Sequence, residues 1–548
     1  MKANIIRSIV LFVFCLLFVF GLANYSVFES YEILYPTFLS GSLTEGVPIN
    51  IWYFVSHFLL AEVYMKFYTM IPGVPWYEII LFFYVAVSLF AILFILFTKN
   101  VQYGTKVKLL IGLLSLILAT EFILSFQYTR VAFALGIAST LALLMGSKES
   151  RWPGVWSCIL FIFCLLSRHE VGVFIFIMQW LSVLFISNRS YSKVALGFNT
   201  TVFLIVAGYI AYDRFTTNDF LKQFEPELGY QLLDRRNIVP LGNMTNAVDS
   251  AKYIAVTNLI TDKEHTTIAF LRSLVAENAF VGVSKKLIVR AANELADKLN
   301  HSFGLLIIYI GLLIPLIWQT LTIGRAGIVK LLIFNLLFWG ILVAVAYFIM
   351  LQYYTVDIML TLMCFILLSK IDFGTVPSSS YPVTILSGIL LIAGTIVLYQ
   401  KQKEYSQRLT NNLEANVKFR DELKQRYPGK ILVPGNDQKK MILFSLRPFE
   451  MHNFSLFSRL YMFDADVIYI EPHYNAYLSK ECKCDANNYT DFIDFLASKK
   501  DSVRIVSTSD RIEVIKYYCR VVRGKNYTIV PIDSLDIDGN SATVFTFQ

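Results

Sequence analysis

Three features of the 548-residue sequence predict a polytopic α-helical membrane protein with about eleven transmembrane helices, interfacial helices in the first outer loop, and a small C-terminal α/β domain on the outer face. Hydrophobic residues make up 56% of the chain and the mean hydropathy is +0.56, too apolar for a water-soluble fold. Apolar runs of about 18–22 residues recur, the helical length that crosses ~30 Å of hydrocarbon. Lysine and arginine concentrate in alternate turns between those runs, which is the positive-inside pattern.

The runs fall at 5–24, 77–98, 107–125, 131–147, 154–167, 171–187, 194–212, 303–323, 329–350, 354–370 and 382–400. With Lys2 and Arg7 inside, the inner turns hold Lys99, Lys106 and Lys108, then Lys148 with Arg151, Arg189 with Lys193, Arg325 with Lys330, and Lys370. The apolar segment 49–71 carries His57, Glu62 and Lys66, so it reads as helix lying in the interface. A crossing there would invert every later turn and spoil the charge pattern. Gly21-Leu22-Ala23 would also serve as a signal-peptide cleavage site, with no effect on the later topology.

This arrangement divides the chain into a transmembrane domain, 1–400, with outer loops at 25–76 and 213–302. A connecting helix follows at 401–428, striped by Leu409, Leu413, Val417 and Leu423, and an extracytoplasmic α/β domain occupies 429–548. In that domain β-rich runs at 430–433, 441–445, 466–470, 503–507, 527–532 and 542–547 interleave with helical patterns at 491–500 and 511–523. It has no glycine-rich loop of the phosphate-cradling kind. Cys15, Cys158, Cys164 and Cys364 lie in apolar runs and read as small buried hydrophobes. Cys482, Cys484 and Cys519 lie in the polar tail, where one disulfide is open to them outside the cytoplasm.

The net charge of +8 follows from the inner turns and implies no nucleic-acid partner. Two outer turns break the charge rule, Gln127-Tyr128-Thr129-Arg130 and Ser167-Arg168-His169-Glu170. Ionisable groups at membrane depth face a bundle interior or a wet cavity, and the arginine fork suits phosphate. Arg130 and Arg168 are therefore candidate phosphate holders, with ion pairs to Glu121 and Glu170 as the structural alternative. Glu29 and Glu32, just past the first run, are open to three roles: a solvated face, a general base or a metal ligand. His57, Tyr128, His169, Glu170, Arg235 and Arg236 are further candidates for substrate contact. The basic 213–302 loop, with Arg214, Arg235, Arg236, Lys285, Lys286 and Arg290, fits anionic membrane lipids at least as well as a donor phosphate. No cofactor is required by these residues, and a divalent metal remains open.

Several short motifs resemble the GT-C superfamily of integral membrane glycosyltransferases. Tyr128-Thr129-Arg130-Val131-Ala132-Phe133-Ala134-Leu135 looks like its aromatic-x-Arg-aromatic-Ala-Leu helix start, and Leu165-Leu166-Ser167-Arg168-His169-Glu170-Val171-Gly172 is similar to its Leu-(Thr/Ser)-(Lys/Arg)-x-Glu-Gly turn. The first-loop text Phe38-Leu39-Ser40-Gly41, Leu43-Thr44-Glu45-Gly46 and Tyr68-Thr69-Met70-Ile71-Pro72 is similar to bacterial membrane proteins near this group. The chain departs from the superfamily in having no aspartate in the first loop and no Trp-Trp-Asp motif. The resemblance implies a bacterial inner-membrane enzyme that moves a sugar from a polyprenyl-phosphate donor to a glycan, lipid or protein acceptor, with inversion. It would place Glu32, or Glu29, in the role of the usual aspartate, and Arg130 and Arg168 on the leaving phosphate. A polymerase of polyprenyl-pyrophosphate-linked repeat units is the nearest alternative, and a non-enzymatic partner or a transporter the next.

Overall fold

The computed structural model describes residues 2–23, 25–28, 58–99, 105–145, 152–186, 190–216, 241–257, 285–348, 353–371, 381–435 and 489–548, with isolated residues at 36, 39–40, 48, 270, 273–274, 441–442, 479–480 and 482–484. The chain divides into two units. The first is Met1–Ser30, Tyr77–Tyr209 and Val283–Leu409, and the second is Tyr31–Trp76, Ile210–Gly282 and Thr410–Gln548.

The first unit is helical. It contains α1 (Lys2–Ala23), α3 (Trp76–Lys99), α4 (Thr105–Thr120), α5 (Tyr128–Met145), α6 (Trp152–Ser167), α7 (His169–Leu181, continued by a π-helical turn Ser182–Ile186) and α8 (Ser190–Thr216). After the long loop come α10 (Lys285–His301), α11 (Phe303–Ile323), α12 (Arg325–Phe348), α13 (Tyr353–Lys370) and α14 (Tyr381–Arg426). Each of the eleven apolar runs overlaps a helix, the run 107–125 leaving its helix at Thr120, and among the described residues eight helices are long and apolar enough to cross a membrane, with shorter apolar helices at Val107–Thr120 and Trp152–Ser167.

Helix α5 is the hub, packed by α6, α7 and α13 and buried along almost its whole length. Its sequence allows this because Ala132, Ala134, Gly136, Ala138, Ser139 and Ala142 are small, so neighbours approach closely from every side. At Gly136 an added Cβ would run into Ile175 of α7, and at Gly172 into Leu165 of α6. Gly136, one residue past the first arginine motif, and Gly172, at the end of the second, are thus points where α7 closes against α5 and α6. A second tight seam joins α11 and α14, where a Cβ at Gly304 would lie 2.7 Å from the Leu398 backbone nitrogen. The bundle also holds a neutral polar network among α5, α6, α7 and α8. The Gln179 amide donates to Ser139 Oγ at 2.9 Å, and the Asn199 amide donates to Ser157 Oγ at 3.0 Å and to Gln179 Oε1 at 2.9 Å.

The second unit holds α2 (Phe58–Met70), α9 (Ala247–Thr257) and the C-terminal sheet. Leu60, Ala61, Tyr64 and Tyr68 are the buried face of α2, and Phe67 stacks on Trp76 at 5.0 Å. Of the interfacial segment expected over 49–71, residues 49–57 lie outside the described residues. The sheet has the order β3-β4-β6-β5, built from β3 (Ile431–Pro434), β4 (Val503–Ser507), β5 (Ile529–Ile537) and β6 (Asn540–Phe547), with α15 (Tyr489–Ser498) and α16 (Ser509–Arg523) between strands. Strands β3 and β4 are parallel, and β5 and β6 form a hairpin closed by Asp538-Gly539, both at positive φ as a two-residue turn of the primed type requires. Thr508 caps α16 by accepting from the Arg511 amide, and Gly524 at φ 65° ends it. The strands expected at 441–445 and 466–470 lie outside the described residues, apart from Met441 and Ile442, which are helical and not strand.

One expected boundary is absent. The helix at 401–428 is not a separate element, because α14 runs unbroken for 46 residues from Tyr381 to Arg426. The change to polar composition at Lys401 comes with no proline or glycine before Pro428, so nothing breaks the backbone there.

Candidate functional site: a polar layer at one end of the helical unit

Polar side chains that interrupt apolar helices are costly unless they find one another, and here they do so at helix ends. Arg130, in the first turn of α5, donates to the Glu121 carbonyl at 2.9 Å and pairs with its carboxylate at 3.3 Å. The other Glu121 oxygen accepts from the Gln402 amide at 2.9 Å, and Thr120 Oγ1 donates to Gln402 Oε1 at 3.0 Å. The next residue on α14, Lys401, meets both oxygens of Asp357 at 3.0 and 3.1 Å. Ser302 Oγ donates to the same carboxylate at 2.6 Å. Lys401 and Gln402 therefore tie the ends of α4, α5, α11 and α13 into one charged layer. Burial first, and then Lys401, holds the neighbouring His301 below its usual range.

Arg168 lies at the break between α6 and α7. It donates to the Tyr128 hydroxyl and to Thr129 Oγ1, the latter at 2.7 Å, and its guanidinium carbon sits 4.9 Å over the Tyr128 ring. Glu170 accepts from it at 3.3 Å and lies 3.5 Å from His169. Both arginines thus make the ion pairs that the sequence offers them, but to different effect. The Arg130 side chain is only 4% exposed and enclosed with its carboxylate, whereas Arg168 is 19% exposed and its acid partner is 53% exposed. A polyanion can compete with Glu170 for Arg168 far more readily than with Glu121 for Arg130.

The segment after α1 joins this layer through its backbone. Strand β1 (Val27–Phe28) pairs in parallel with β2 (Ser125–Phe126), so Phe28 sits beside Phe126, two residues before Tyr128. Phe82 of α3 stacks on Phe126 at 4.3 Å and backs the pairing. Glu29 and Glu32 lie outside the described residues, as do His57, Arg235 and Arg236. The structure brings together Tyr128, Arg130, Arg168, His169 and Glu170, and adds Glu121, Asp357, Lys401 and Gln402, which sequence reasoning missed as a group. Asp357 carried a readable signal, a lone carboxylate inside the run 354–370. Among the described residues no group of three or more His, Cys, Asp or Glu side chains has the arrangement to hold a metal ion, and none of the seven cysteines is in a disulfide.

The fold defines a class: a helical membrane protein with a charged layer at one end of its bundle and a small mixed sheet at its C-terminus. No protein-family model and no curated protein matches the chain.

Proposed function

We propose that this is a glycosyltransferase of GT-C type with about eleven crossings in the inner membrane of a bacterium, and that the charged layer and the C-terminal unit face outward. The donor is a polyprenyl-phosphate-linked sugar, and the acceptor a hydroxyl of a glycan, lipid or protein. Arg168 holds the leaving phosphate, where negative charge grows in the transition state and a preorganised cation is worth most. Arg130 stands behind it, fixing the helix start from which Tyr128 and Thr129 reach Arg168. A first-loop carboxylate, Glu32 or else Glu29, takes the acceptor proton, and a single displacement inverts the anomeric carbon.

The observation that carries this reading is the seat of Arg168. It is a half-sheltered guanidinium held by a tyrosine and a threonine, and its carboxylate partner Glu170 is itself exposed. The β1–β2 pairing supports it by bringing the residue before Glu29 to the same helix start.

The test is transfer of radiolabelled sugar from polyprenyl-monophosphate donors by the purified chain in detergent. Wild type should transfer, and Glu32→Gln should lose about 10²–10⁴ in rate while remaining folded. Full activity in both Glu32→Gln and Glu29→Gln would remove the first-loop base. Transfer confined to pyrophosphate-linked oligosaccharides would make the protein a polymerase, and no transfer from either donor would end the enzymatic reading.

A further inference from the structure

Two polar atoms on residues next in sequence to the Arg168–Tyr128 contact have no hydrogen-bond partner among the described residues: Gln127 Oε1 and Ser167 Oγ. Both side chains are more than nine-tenths buried, at 4% and 2% exposed. Native interiors rarely leave such groups unmet, so each one calls for a reason. Their positions supply one. Gln127 directly precedes Tyr128, and Ser167 directly precedes Arg168, so each adjoins one side of the Arg168–Tyr128 contact. The Gln127 backbone carbonyl is already spent, accepting from the Val131 amide at 3.1 Å to start α5. Only the side-chain carbonyl is left, and it wants a donor. The serine hydroxyl both gives and accepts. An amide carbonyl and a hydroxyl on the residues that adjoin a phosphate-holding arginine and its tyrosine suit a sugar phosphate, which offers anionic oxygens at one point and ring hydroxyls around it.

We infer that Gln127 and Ser167 read the hydroxyls of the donor sugar whose phosphate Arg168 holds, and so set which sugar is accepted. This rests on the glycosyl-donor reading of the site. A ring hydroxyl donates to Gln127 Oε1, and Ser167 Oγ bonds a second. A sugar lacking either hydroxyl leaves a buried polar atom unmet, which is how such sites discriminate. The roles differ from that of Arg168, since they concern the sugar and not the lipid phosphate that every donor shares.

The experiment measures binding to the purified full chain in detergent, with undecaprenyl monophosphate as one probe. The other probes are the same lipid phosphate carrying a hexose, a pentose or an N-acetylhexosamine. Wild type should bind at least one glycosylated lipid more tightly than the bare one. Gln127→Met and Ser167→Ala should each weaken that glycosylated lipid about tenfold, the worth of one hydrogen bond, while bare lipid phosphate stays within about twofold. Without ligand, both variants should melt no lower than wild type, because each removes a buried polar atom that lacks a partner among the described residues. Ser167→Ala deletes one atom and carries the test alone if Gln127→Met does not fold. Equal weakening of bare and glycosylated lipids, no weakening of either, or a lowered melting point without ligand would each overturn the inference. So would glycosylated lipids that bind wild type no tighter than bare lipid. Failure of wild type to bind the bare lipid phosphate, or binding untouched by Arg168→Gln, would overturn the donor reading itself and the inference with it.

Discussion

The two units obey opposite burial rules. In the helical unit the surface is apolar: Ile6 and Leu17 on α1, Phe198 on α8, Leu336 on α12 and Ile392 on α14 are all exposed. Several of its charges instead lie inside, with Asp357, Glu121 and Arg130 buried. Beyond residue 410 the order is reversed. Val503, Ile505, Phe545 and Phe547 are buried, ion pairs such as Lys418–Asp538 lie on the surface, and among the described residues Ile532 is the exposed large hydrophobe. Lipid is as apolar as leucine, so burying leucine from lipid gains nothing and helices must be joined by close packing and polar contacts. Water rewards the opposite choice. Helix α2 is intermediate, showing Val63, Phe67 and Met70 beside Glu62 and Lys66, the composition of a helix at the boundary between the two solvents.

The largest way to break this contrast is to strand a charge inside the helical unit. Lys401→Met leaves the Asp357 carboxylate, 4% exposed, with Ser302 but without its cation. The expected loss is about 3–5 kcal/mol, enough to abolish monodisperse protein in detergent. The double variant Lys401→Met/Asp357→Leu should recover most of it, since an apolar pair of similar volume often replaces a buried ion pair at little cost. A double variant as unstable as the single would mean that the layer does more than neutralise charge. Thermal melting of the three proteins decides between these outcomes.

A second test separates packing from polarity. Gly394 of α14 faces the Gly304 carbonyl and the Ile308 amide, both 2.9 Å from where its Cβ would be. Gly394→Ala should therefore push α11 and α14 apart at about 1–3 kcal/mol. Gly388 lies on the same helix with no atom within 4 Å of its would-be Cβ. Gly388→Ala should be neutral or stabilising by up to about 1 kcal/mol, because alanine is the better helix former. Equal effects at the two positions, read as melting midpoints, would refute the close seam.

How much of this was legible in the sequence depends on whether the signal was local. The apolar runs were, because length and hydropathy alone set them, and each overlaps a helix. The two arginine turns were, because a cation at the wrong end of a span stands out against the charge pattern. The partners were only half legible. Glu121 and Glu170 are near Arg130 and Arg168 in sequence, whereas Lys401 reaches Asp357 across 44 residues, and no local pattern reveals that. The continuity of α14 was misread for a physical reason: Lys401 marks a change of surroundings, and the helix responds only to backbone breakers. The hairpin at Asp538-Gly539 did carry its signal, a two-residue turn between alternating strands, which the division at 527–532 and 542–547 passed over. Gln127 and Ser167 stood inside quoted motifs yet had no assigned role, because only a three-dimensional structure shows that a buried polar atom has no partner among the described residues.

The smallest effect sharpens the other side of the comparison, where polar contacts face water. Asp533 accepts from the Tyr427 hydroxyl at 2.8 Å and pairs with Arg426 at 3.0 Å, and these two donors, the tyrosine first, hold its carboxyl below the usual range. Burial, and then Asp533, pushes the Tyr427 phenol up to about 12. A depressed carboxyl contributes stability that is whole above its unfolded value near ~3.9 and is lost as pH falls toward the folded one. A raised phenol contributes stability that is whole below ~10 and is lost as pH rises from there through about 12. The C-terminal sheet should therefore melt highest on a plateau between these limits and fall off at each end. Asp533→Asn should shrink the acid edge and trim the alkaline edge only in part, because burial of Tyr427 persists. The change should be small, as it is for exposed pairs, and smaller still in high salt. Calorimetric melting of the full chain from pH 3 to 11 is the measurement. An acid edge of unchanged size in Asp533→Asn would assign it to other carboxylates, with Asp494, held by Lys525 and Tyr527, the next to replace.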